Sequence, residues 1–510
     1  MRALAPARRL PGIRAAASAA AGPPARLAHH APAGEVLELA ARQRERFLRM
    51  GLHEEPFALL TANSIACAAA LRAAEELAAS VVLLPSPTLL PLAVRHARVD
   101  RCVGLDADGE PVVLEEGQHG GSRAREQDRR WLRSLHPPGG SASSSGACVV
   151  CTSGSGQAGP KLVAYRWAAC RQQAAVTARR TLADAAPGGG RVRFVAASNM
   201  GHAYNLNGVF SALEADAELC VPRDSGELAR TLAAEPPPDC ESTVLFATPA
   251  MYRSLLCSEA SLSGALRGAL AASGRPLHAF SAGCPLPART AAEARDRLGV
   301  EVLQNYGSSE TGNIALQELT HGLAPVGNSA FAGIDVGTPW GQVELRPPSE
   351  GRLLPEGAEG EICTAVGWAS EGYVLDGELV PHDASSFVRT GDAGRWRSSG
   401  GGRSLVVMQR LRPPLQLRRG GLRLLLQPYE VEAALLAADP SLTAAAALQG
   451  PDGQLHCAVE GPGQGGGGPA MEGPVQPDRL LRMEALPTSP AGKVLHSQIG
   501  KLFARAGGDA

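Results

Sequence analysis

The chain has 510 residues, of which 49 are Lys or Arg and 50 are Asp or Glu, so its formal net charge is −1. This balance gives no overall field that would attract nucleic acid or a membrane surface. The length is sufficient for a large buried core and for more than one compact unit. The sequence has no run of about 18 apolar residues, so we expect no membrane span. The 11 scattered cysteines indicate free thiols in a reducing compartment.

The first 34 residues differ in composition from the rest of the chain. They contain five arginines and no acidic residue before Glu35. Arg-rich, acid-poor beginnings are typical of organelle transit peptides. Two interpretations stay open. A transit peptide would place the protein in a mitochondrion or a plastid, whereas an unstructured leader or a misplaced start codon would leave it cytoplasmic.

Helix and strand patterns begin directly after this segment. Apolar residues recur at helical spacing over Glu35–Met50, and Ser64–Ala79 is predicted to be a second helix. Ser80–Pro85 reads as a short buried strand. Residues 104–146 are polar and end in a tract of Pro, Gly and Ser, so we expect a flexible surface excursion there.

Short apolar and β-branched runs then alternate with helical segments. This alternation predicts α/β layers with largely parallel sheets. Cys148 and Cys151 form a CxxC that no second CxxC accompanies, so we interpret the pair as part of a buried strand and not as half of a zinc site. The predicted strands are Cys148–Thr152, Val192–Ala197, Glu218–Val221, Ser242–Ala247, Leu277–Ser281 and Val302–Asn305.

The pattern changes after about residue 335. Beyond Arg410 the sequence has one clear helix, Tyr429–Ala438, and a Gly-rich tract at 461–468 that is predicted to be disordered. Before Arg410, short strands divided by Gly and Pro turns predict a β-rich subdomain. These strands are Gln342–Leu345, Gly360–Ala365 and Leu405–Met408.

The patterns together predict an α/β protein with two domains after a leader at residues 1–34. A large N-terminal domain, residues 35–409, combines layered α/β subdomains with the β-rich subdomain. A small, mobile α+β domain, residues 410–510, follows it.

A loop rich in Gly and Ser at residues 152–161 reads Thr-Ser-Gly-Ser-Gly-Gln-Ala-Gly-Pro-Lys. Closely spaced glycines let backbone N–H groups approach phosphate oxygens, while hydroxyl groups add donors and the lysine adds charge. The glycine spacing is that of a Walker A loop. However, Pro160 precedes the lysine and Leu162 stands where Ser or Thr would bind magnesium, so a P-loop NTPase is disfavoured. A plain turn is the alternative to a phosphate site formed by Thr152, Ser153, Gly154, Ser155 and Lys161.

A second candidate segment, Tyr306–Gly312, follows a predicted strand, and strand ends are where α/β proteins place ligands. Tyr306 can stack on a purine, and Gly307 permits close approach of a ligand. Ser309 offers a hydroxyl, and Glu310 offers a hard oxygen for Mg²⁺. A surface turn with a solvated glutamate is the alternative.

Two later segments complete the set. Thr390-Gly-Asp392 places a carboxylate on a tight turn, and such a carboxylate can accept both ribose hydroxyls of a nucleotide. Near the end of the chain, Lys493 lies in Pro-Thr-Ser-Pro-Ala-Gly-Lys-Val. In this order, the four segments suit the attack of a carboxylate on the α-phosphate of ATP.

This ordered set resembles the acyl-activating, or adenylate-forming, superfamily. The superfamily includes acyl- and aryl-CoA ligases, stand-alone adenylation enzymes, adenylation domains of peptide synthetases and beetle luciferases, and the chain is most like the acyl- and aryl-CoA ligases. The similarity covers about residues 35–500. It includes further segments, namely Ala247-Thr-Pro-Ala-Met-Tyr252, Ser281-Ala-Gly-Cys-Pro-Leu286, Gly360-Glu-Ile362, Glu371-Gly-Tyr373, Arg410-Leu-Arg412 and Pro428-Tyr-Glu-Val-Glu432.

The resemblance implies how the nucleotide would be held. The loop at 152–161 would hold the β- and γ-phosphates of ATP. Ser309 and Glu310 would lie at the α-phosphate and Mg²⁺. Asp392 together with Arg410 would hold the ribose.

The resemblance also implies where the acid would react. Gly283, Cys284 and Tyr306 would frame the adenine and the acyl pocket. Lys493 would bridge the carboxylate and the α-phosphate, because two anions have to meet and fixed positive charge stabilises their transition state.

The sequence departs from the superfamily at two places. The phosphate loop usually reads Thr-Ser-Gly-Ser-Thr-Gly-x-Pro-Lys. Here the second Thr is missing and one residue is inserted around Gly156–Ala158. The hinge position, Arg412, is followed by Pro413-Pro414, and proline fixes φ and disfavours the α conformation in the residue before it. We expect this hinge to bias the small domain toward one of its two orientations.

The nature of the acid is indicated by residues 199–205, Asn-Met-Gly-His-Ala-Tyr-Asn. A relative that activates amino acids would place an aspartate there. Burying an ammonium without a partner is costly, so an amino acid substrate is disfavoured. The resemblance to acyl- and aryl-CoA ligases implies that His202 lines the acyl pocket. A purely structural role for His202 is the alternative.

The predicted activity is therefore that of an acid–thiol ligase. It would convert a small carboxylic acid, a fatty acid for example, to an acyl-adenylate with ATP and Mg²⁺ and then transfer the acyl group to CoA. Transfer to a separate carrier protein is one alternative, since we expect no fused carrier domain. A non-catalytic nucleotide-binding relative is the alternative from another class.

Overall fold

The computed structural model describes residues 29–106, 108–116, 130–135, 146–152, 160–182, 185–186, 188–257, 260–317, 333–347, 359–382, 387–399, 402–412, 415–419, 422–426, 428–439, 441–461, 476–488 and 494–506. Some predicted features lie outside these ranges. They are Ser153, Gly154, Ser155, Pro413, Pro414, Lys493, most of the predicted leader and nearly all of the Gly-rich tract at 461–468.

The strands of the described residues are, in chain order, β1 (His30–Pro32), β2 (Phe57–Leu60), β3 (Val81–Leu84), β4 (Arg101–Leu105), β5 (Pro111–Glu116), β6 (Ala147–Cys151), β7 (Leu162–Arg166), β8 (Arg191–Ala196), β9 (Glu218–Cys220), β10 (Cys240–Ala247), β11 (Leu277–Ser281), β12 (Val302–Ser308), β13 (Gly312–Leu316), β14 (Ile334–Asp335), β15 (Gln342–Arg346), β16 (Gly360–Ala365), β17 (Gly372–Leu375), β18 (Glu378–Pro381), β19 (Val388–Ser399), β20 (Gly402–Arg410), β21 (Leu415–Arg419), β22 (Leu422–Leu426), β23 (Ala444–Gln449), β24 (Leu455–Glu460) and β25 (Arg479–Met483).

The helices of the described residues alternate with these strands. They are α1 (Ala33–Arg49), α2 (Ile65–Glu76), α3 (Leu90–Ala97), α4 (Arg130–Ser134), α5 (Trp167–Leu182), α6 (Ala203–Glu214), α7 (Ser225–Ala233), α8 (Pro249–Cys257), α9 (Ala260–Ser273), α10 (Ala288–Glu293), α11 (Pro428–Ala438) and α12 (His496–Ala506). Local chemistry fixes several of their ends. For example, Ser64 precedes α2, and its hydroxyl oxygen accepts a hydrogen bond from the backbone N–H of Cys67 at 3.1 Å.

Eight described strands form one sheet in the order β18-β17-β7-β6-β3-β2-β4-β5. β4, β2, β3 and β6 are parallel neighbours at its centre. Val81–Leu84 is buried along its whole length, as a strand covered on both faces requires. β6 and β7 form an antiparallel hairpin, and the loop rich in Gly and Ser connects them.

Seven described strands form a second sheet in the order β1-β9-β8-β10-β11-β12-β13. β9, β8, β10, β11 and β12 run parallel, so their carboxyl ends share one edge. Helices pack on both faces of this sheet. One face, with Phe246 and Phe280, faces α5 and α6, and the other, with Leu245 and Ala247, faces α7, α8 and α9.

The remaining strands form smaller sheets. An antiparallel sheet has the order β14-β20-β19-β16-β15. After Arg412, β21 pairs with β22, and β23, β24 and β25 form a sheet with α11 and α12 beside it. Their buried residues form apolar clusters of their own, which include Leu417, Leu435, Ile499 and Phe503.

The predicted mixed α/β fold is confirmed, and two expectations about local structure are wrong. Residues 104–146 are not wholly a surface excursion. β5 pairs with β4, and the Trp131 side chain is fully buried with its indole N–H donating to the Ala97 carbonyl oxygen at 3.2 Å. In addition, β12 runs through Tyr306 to Ser308, so this tyrosine lies within a strand and not after it. The division of the chain near residue 410 stays a prediction.

Among the described residues, no helix combines the length and the apolar character needed to span a bilayer.

Candidate active site

The ends of the loop rich in Gly and Ser are held together by two hydrogen bonds. The Thr152 N–H donates to the Lys161 carbonyl oxygen at 2.8 Å, and the Lys161 N–H donates to the Thr152 hydroxyl oxygen at 2.9 Å. The Lys161 Nζ lies 4.6 Å from the centre of the Tyr373 ring, which is within the range of a cation–π contact. The base of the loop is therefore fixed against β17, the strand that carries Tyr373.

The segment Tyr306–Gly312 forms the tip of the β12–β13 hairpin. Gly307 is required there, because a Cβ at that position would lie 2.2 Å from the Gly312 carbonyl oxygen. The Ser308 hydroxyl oxygen accepts a hydrogen bond from the Glu310 N–H at 3.1 Å. A tight hairpin of this kind holds the carboxylate of Glu310 at a defined place.

Two tyrosines from other strands support this tip. The Tyr373 hydroxyl donates to Glu310 Oε1 at 3.0 Å, and the Tyr165 hydroxyl donates to the Ser309 carbonyl oxygen at 2.6 Å. Burial raises the pKa of Tyr373, and the negative charge of Glu310 raises it further. Tyr373 therefore keeps its proton near neutral pH and can donate a hydrogen bond to the carboxylate of Glu310.

Asp392 lies at the centre of a second polar cluster. Its backbone pairs with Arg410 across β19 and β20, and Arg410 Nη1 donates to Asp392 Oδ1 at 3.1 Å. The Tyr306 hydroxyl donates to Asp392 Oδ2 at 2.9 Å. Burial and the charge of Asp392 both raise the pKa of Tyr306, so Tyr306 remains a donor near neutral pH.

The two clusters adjoin each other because Tyr306 and Glu310 stand on the same hairpin tip. The structure thus brings together residues that the sequence analysis took from separate segments, namely Thr152, Lys161, Tyr306, Gly307, Ser309, Glu310, Asp392 and Arg410. Sequence reasoning missed Tyr165 and Tyr373 as parts of the site. Glu371-Gly-Tyr373 is one of the motifs shared with the superfamily, and its tyrosine is the signal that could have identified one of them.

The remaining described candidates follow the carboxyl ends of two strands of the second sheet, β11 and β8. Gly283 follows β11 with φ of 90°, a conformation that favours glycine, and Cys284 is partly exposed. His202 stands at the N-terminus of α6, where its carbonyl oxygen accepts a hydrogen bond from the Leu206 N–H at 3.0 Å. Their roles in the acyl pocket stay predictions.

A magnesium site made of protein ligands alone is not present, because the described residues contain no group of three or more His, Cys, Asp or Glu that could hold a metal ion. Mg²⁺ is commonly bound through one or two carboxylates together with phosphate oxygens and water. The single carboxylate of Glu310, which shares the contact residue Tyr373 with Lys161, fits that pattern.

Comparison with known proteins assigns the chain to a family. The family model for AMP-binding enzymes matches residues 55–374, which is more than half of the chain. The chain belongs to the AMP-binding enzyme family. The predicted resemblance to the adenylate-forming superfamily is therefore confirmed. No curated protein matches this AMP-binding enzyme at a significant level.

Solved structures support the fold of this AMP-binding enzyme. ATP-bound MatB from Rhodopseudomonas palustris is 18% identical, with a TM-score of 0.67 and 92% of this chain and 93% of that chain covered. The amide bond synthetase McbA from Marinactinospora thermotolerans is 20% identical, with a TM-score of 0.66 and coverage of 97% and 100%. A benzoate CoA ligase from Burkholderia xenovorans LB400 is 17% identical, with a TM-score of 0.60 and coverage of 91% and 94%.

Proposed function

We propose that this AMP-binding enzyme activates a carboxylic acid with ATP and transfers the acyl group to CoA. In the first step a carboxylate oxygen attacks the α-phosphorus of ATP. The bond between that phosphorus and the oxygen bridging to the β-phosphate breaks, and pyrophosphate leaves. In the second step the sulfur of CoA attacks the acyl carbon, AMP leaves with the electron pair of the acyl–oxygen bond, and the thiol proton passes to solvent.

The observation that supports the proposal is the pair of polar clusters at the tip of the β12–β13 hairpin. Each carboxylate oxygen of Asp392 accepts one hydrogen bond from a side chain of the enzyme, from Tyr306 or from Arg410. A carboxylate oxygen can accept more than one hydrogen bond, so this carboxylate suits the acceptance of ribose hydroxyls. The donors orient the carboxylate before the nucleotide arrives.

The second cluster suits the phosphates. Glu310 would hold Mg²⁺, which when bound neutralises charge on the phosphate oxygens. Tyr373 holds the carboxylate of Glu310 at 3.0 Å and lies under the Lys161 ammonium. Lys161 thus adds a positive charge next to the loop that would receive the β- and γ-phosphates.

Lys493 would supply the positive charge that lets the substrate carboxylate approach the α-phosphate of ATP. Its segment is bounded by Thr488 and Val494, which form an antiparallel bridge, and the Leu495 N–H donates to the Pro487 carbonyl oxygen at 2.8 Å. The proposed role is to stabilise charge at the α-phosphate rather than to accept a proton.

The acceptor of the acyl group defines a second candidate function. The benzoate CoA ligase supports a thiol acceptor, whereas the similarity to McbA, which extends over 97% of this chain, favours an amine acceptor and an amide product. A carrier-protein thiol is a third acceptor of the same chemical class as CoA. All three share the acyl-adenylate step.

One experiment tests the proposal. Exchange of labelled pyrophosphate into ATP would be measured over panels of fatty, aryl and short-chain acids, with omission of the acid as the control. We expect exchange that depends on at least one acid, and a thioester when CoA is added. An amide formed from an added amine, without thioester, would favour the second candidate. Absence of exchange with every acid would contradict the proposed function.

A further inference from the structure

Several buried polar atoms at the carboxyl edge of the second sheet have no hydrogen-bond partner among the described residues. They include Oγ1 of Thr248 and both Nδ2 and Oδ1 of Asn305. Thr248 is 4% exposed and Asn305 is 5% exposed. An amide that is buried with both ends unpaired is costly, and a bound ligand or a water would normally satisfy it.

The two residues lie on one rung of the sheet, that is, in one row of residues that are in register across neighbouring strands. Ala247 is in register with Ser281, and Ser281 is in register with Gln304. The next rung therefore contains Thr248, Ala282 and Asn305. The Ala282 N–H still donates to the Ala247 carbonyl oxygen at 3.3 Å, so the pairing continues to this rung.

The rung faces α6. Side chains alternate along a strand, so Asn305 of β12 points to the same face as Leu303. Thr248 and Ala282 directly follow the ends of β10 and β11, two residues after Phe246 and Phe280. Phe246, Phe280 and Leu303 belong to the apolar cluster that the helix covers. Tyr204 of α6 stacks on Phe246 with ring centres 5.0 Å apart.

The same rung adjoins the reaction centre. Asn305 directly precedes Tyr306, whose hydroxyl donates to Asp392. On the neighbouring strand Ala282 is followed by Gly283, where the nearest atom to an added Cβ is Thr248 Cγ2 at 3.9 Å. An acid with its carboxylate at the α-phosphate would therefore extend its carbon skeleton over the small residues Ala282 and Gly283.

The distance between Thr248 and Asn305 limits the size of the group that can bind between them. Thr248 and Asn305 stand two strands apart, a Cα separation of about 10 Å. A ring or a short chain over Ala282 would reach the Asn305 amide. The three side chains of this rung carry no charge. A second carboxylate on the acid would therefore find no counter-ion on this rung, and burying it there would be unfavourable.

We propose that Asn305 recognises a neutral hydrogen-bonding group, a hydroxyl or a carbonyl, on the acid, with the Thr248 hydroxyl as a second contact. The substrate is then a carboxylic acid with a polar substituent and not a plain hydrocarbon acid. This inference rests on the proposed function, because it concerns the acid that the enzyme would adenylate.

The test compares acids that differ only in the polar group. The pairs are benzoate with its hydroxy isomers and hexanoate with hydroxy- and oxohexanoates, and adipate serves as the charged member. The ratio of kcat/KM within each pair is measured by pyrophosphate release for the wild type, for Asn305→Leu, which has similar volume without the amide, and for Thr248→Val. We expect at least one polar member to be preferred by about 10- to 100-fold, as a satisfied buried amide predicts.

The two variants show whether Asn305 recognises the polar group of the acid or only stabilises the fold. In Asn305→Leu the preference should disappear through a raised KM for the polar acid, while the KM for ATP stays the same. Its Tm should equal or exceed that of the wild type, because an unpaired buried amide is replaced by an apolar group. Thr248→Val should reduce the preference less. A lowered Tm for Asn305→Leu with an unchanged ratio would assign Asn305 a structural role and overturn the inference.

Three other results would also overturn it. One is a wild type that prefers the unsubstituted acids, with a ratio that Asn305→Leu leaves unchanged, because a water would then satisfy the amide. Another is a preference for adipate over the neutral acids. The third is the absence of pyrophosphate release with every acid, which differs from the first two because it removes the proposed function itself.

Discussion

Replacing Asp392 by asparagine tests whether this carboxylate holds the ribose. The substitution keeps the shape of the side chain and removes its charge. In the wild type, Tyr306 donates to one carboxylate oxygen at 2.9 Å and Arg410 donates to the other at 3.1 Å. The asparagine has only one acceptor oxygen, so at least one of these bonds is lost and the ribose loses an acceptor.

The expected magnitude follows from these contacts. The Arg410 side chain is 59% exposed, so its ion pair with Asp392 contributes only about 0.2–1 kcal/mol. A hydrogen bond from a ribose hydroxyl to a charged carboxylate contributes about 1.5–3 kcal/mol. At 1.4 kcal/mol for each factor of ten, loss of the ribose bond should raise the KM for ATP by about 10- to 150-fold.

The assay is pyrophosphate release as a function of ATP concentration, with Tm measured beside it. Tyr306→Phe is the matched control, because it removes a donor to Asp392 but keeps the charge and the aromatic ring. We expect its KM for ATP to change by less than about fivefold. An ATP KM within twofold of the wild type in Asp392→Asn, or an equal effect in both variants, would refute the reasoning.

Three further predictions concern other parts of the site and the region after Arg410. Tyr373→Phe removes the donor to Glu310, and we expect kcat for pyrophosphate release to fall about tenfold with a higher requirement for Mg²⁺; an unchanged magnesium titration would contradict this role. Burial alone would raise the pKa of Glu432, but hydrogen bonds and the charge of Arg412 lower the pKa overall. The ionised Glu432 carboxylate therefore stabilises the fold above its ordinary pKa of 4.5, and this stabilisation is lost as the pH falls through the lower pKa of the folded protein. Glu432→Gln should therefore lower Tm at pH 7 more than below pH 4, and an equal decrease at both pH values would disagree. In single-turnover experiments with CoA, thioester formation should be slower than adenylation, because Pro413 and Pro414 would restrict the hinge predicted at Arg412; equal rates of the two steps would contradict this prediction.

Much of the fold could be predicted because local patterns were strong. Leu277–Ser281 was predicted as a strand and is observed with the same bounds; its last three residues are buried, and Pro276 and the Gly283 turn flank it. β13 was missed, although Ile314-Ala-Leu316 is apolar and wholly buried, because an apolar run of three residues is too short to give a periodic signal. Trp131 was missed because a single buried aromatic in a polar segment carries no periodic signal.

The candidate residues of the site could be named from the sequence, and their roles stay predictions, but the contacts between them could not be predicted. Glu310, Asp392 and Lys161 were identified from the chemistry that each could perform. The hydrogen bond from Tyr373 to Glu310 joins residues 63 positions apart, and that from Tyr306 to Asp392 joins residues 86 apart. Such contacts depend on how separate sheets pack together, and a one-dimensional pattern does not contain that information.

The most direct test of the proposed function is the effect of Lys493→Ala on acyl-adenylate formation. Removal of a fixed charge that stabilises a transition state commonly lowers the rate by a factor on the order of 10²–10³. We expect pyrophosphate release in the presence of the best acid to fall at least this far, while ATP still binds with an affinity close to that of the wild type. Pyrophosphate release at a near-normal rate in this variant would contradict the role of Lys493 and, with it, the proposed chemistry.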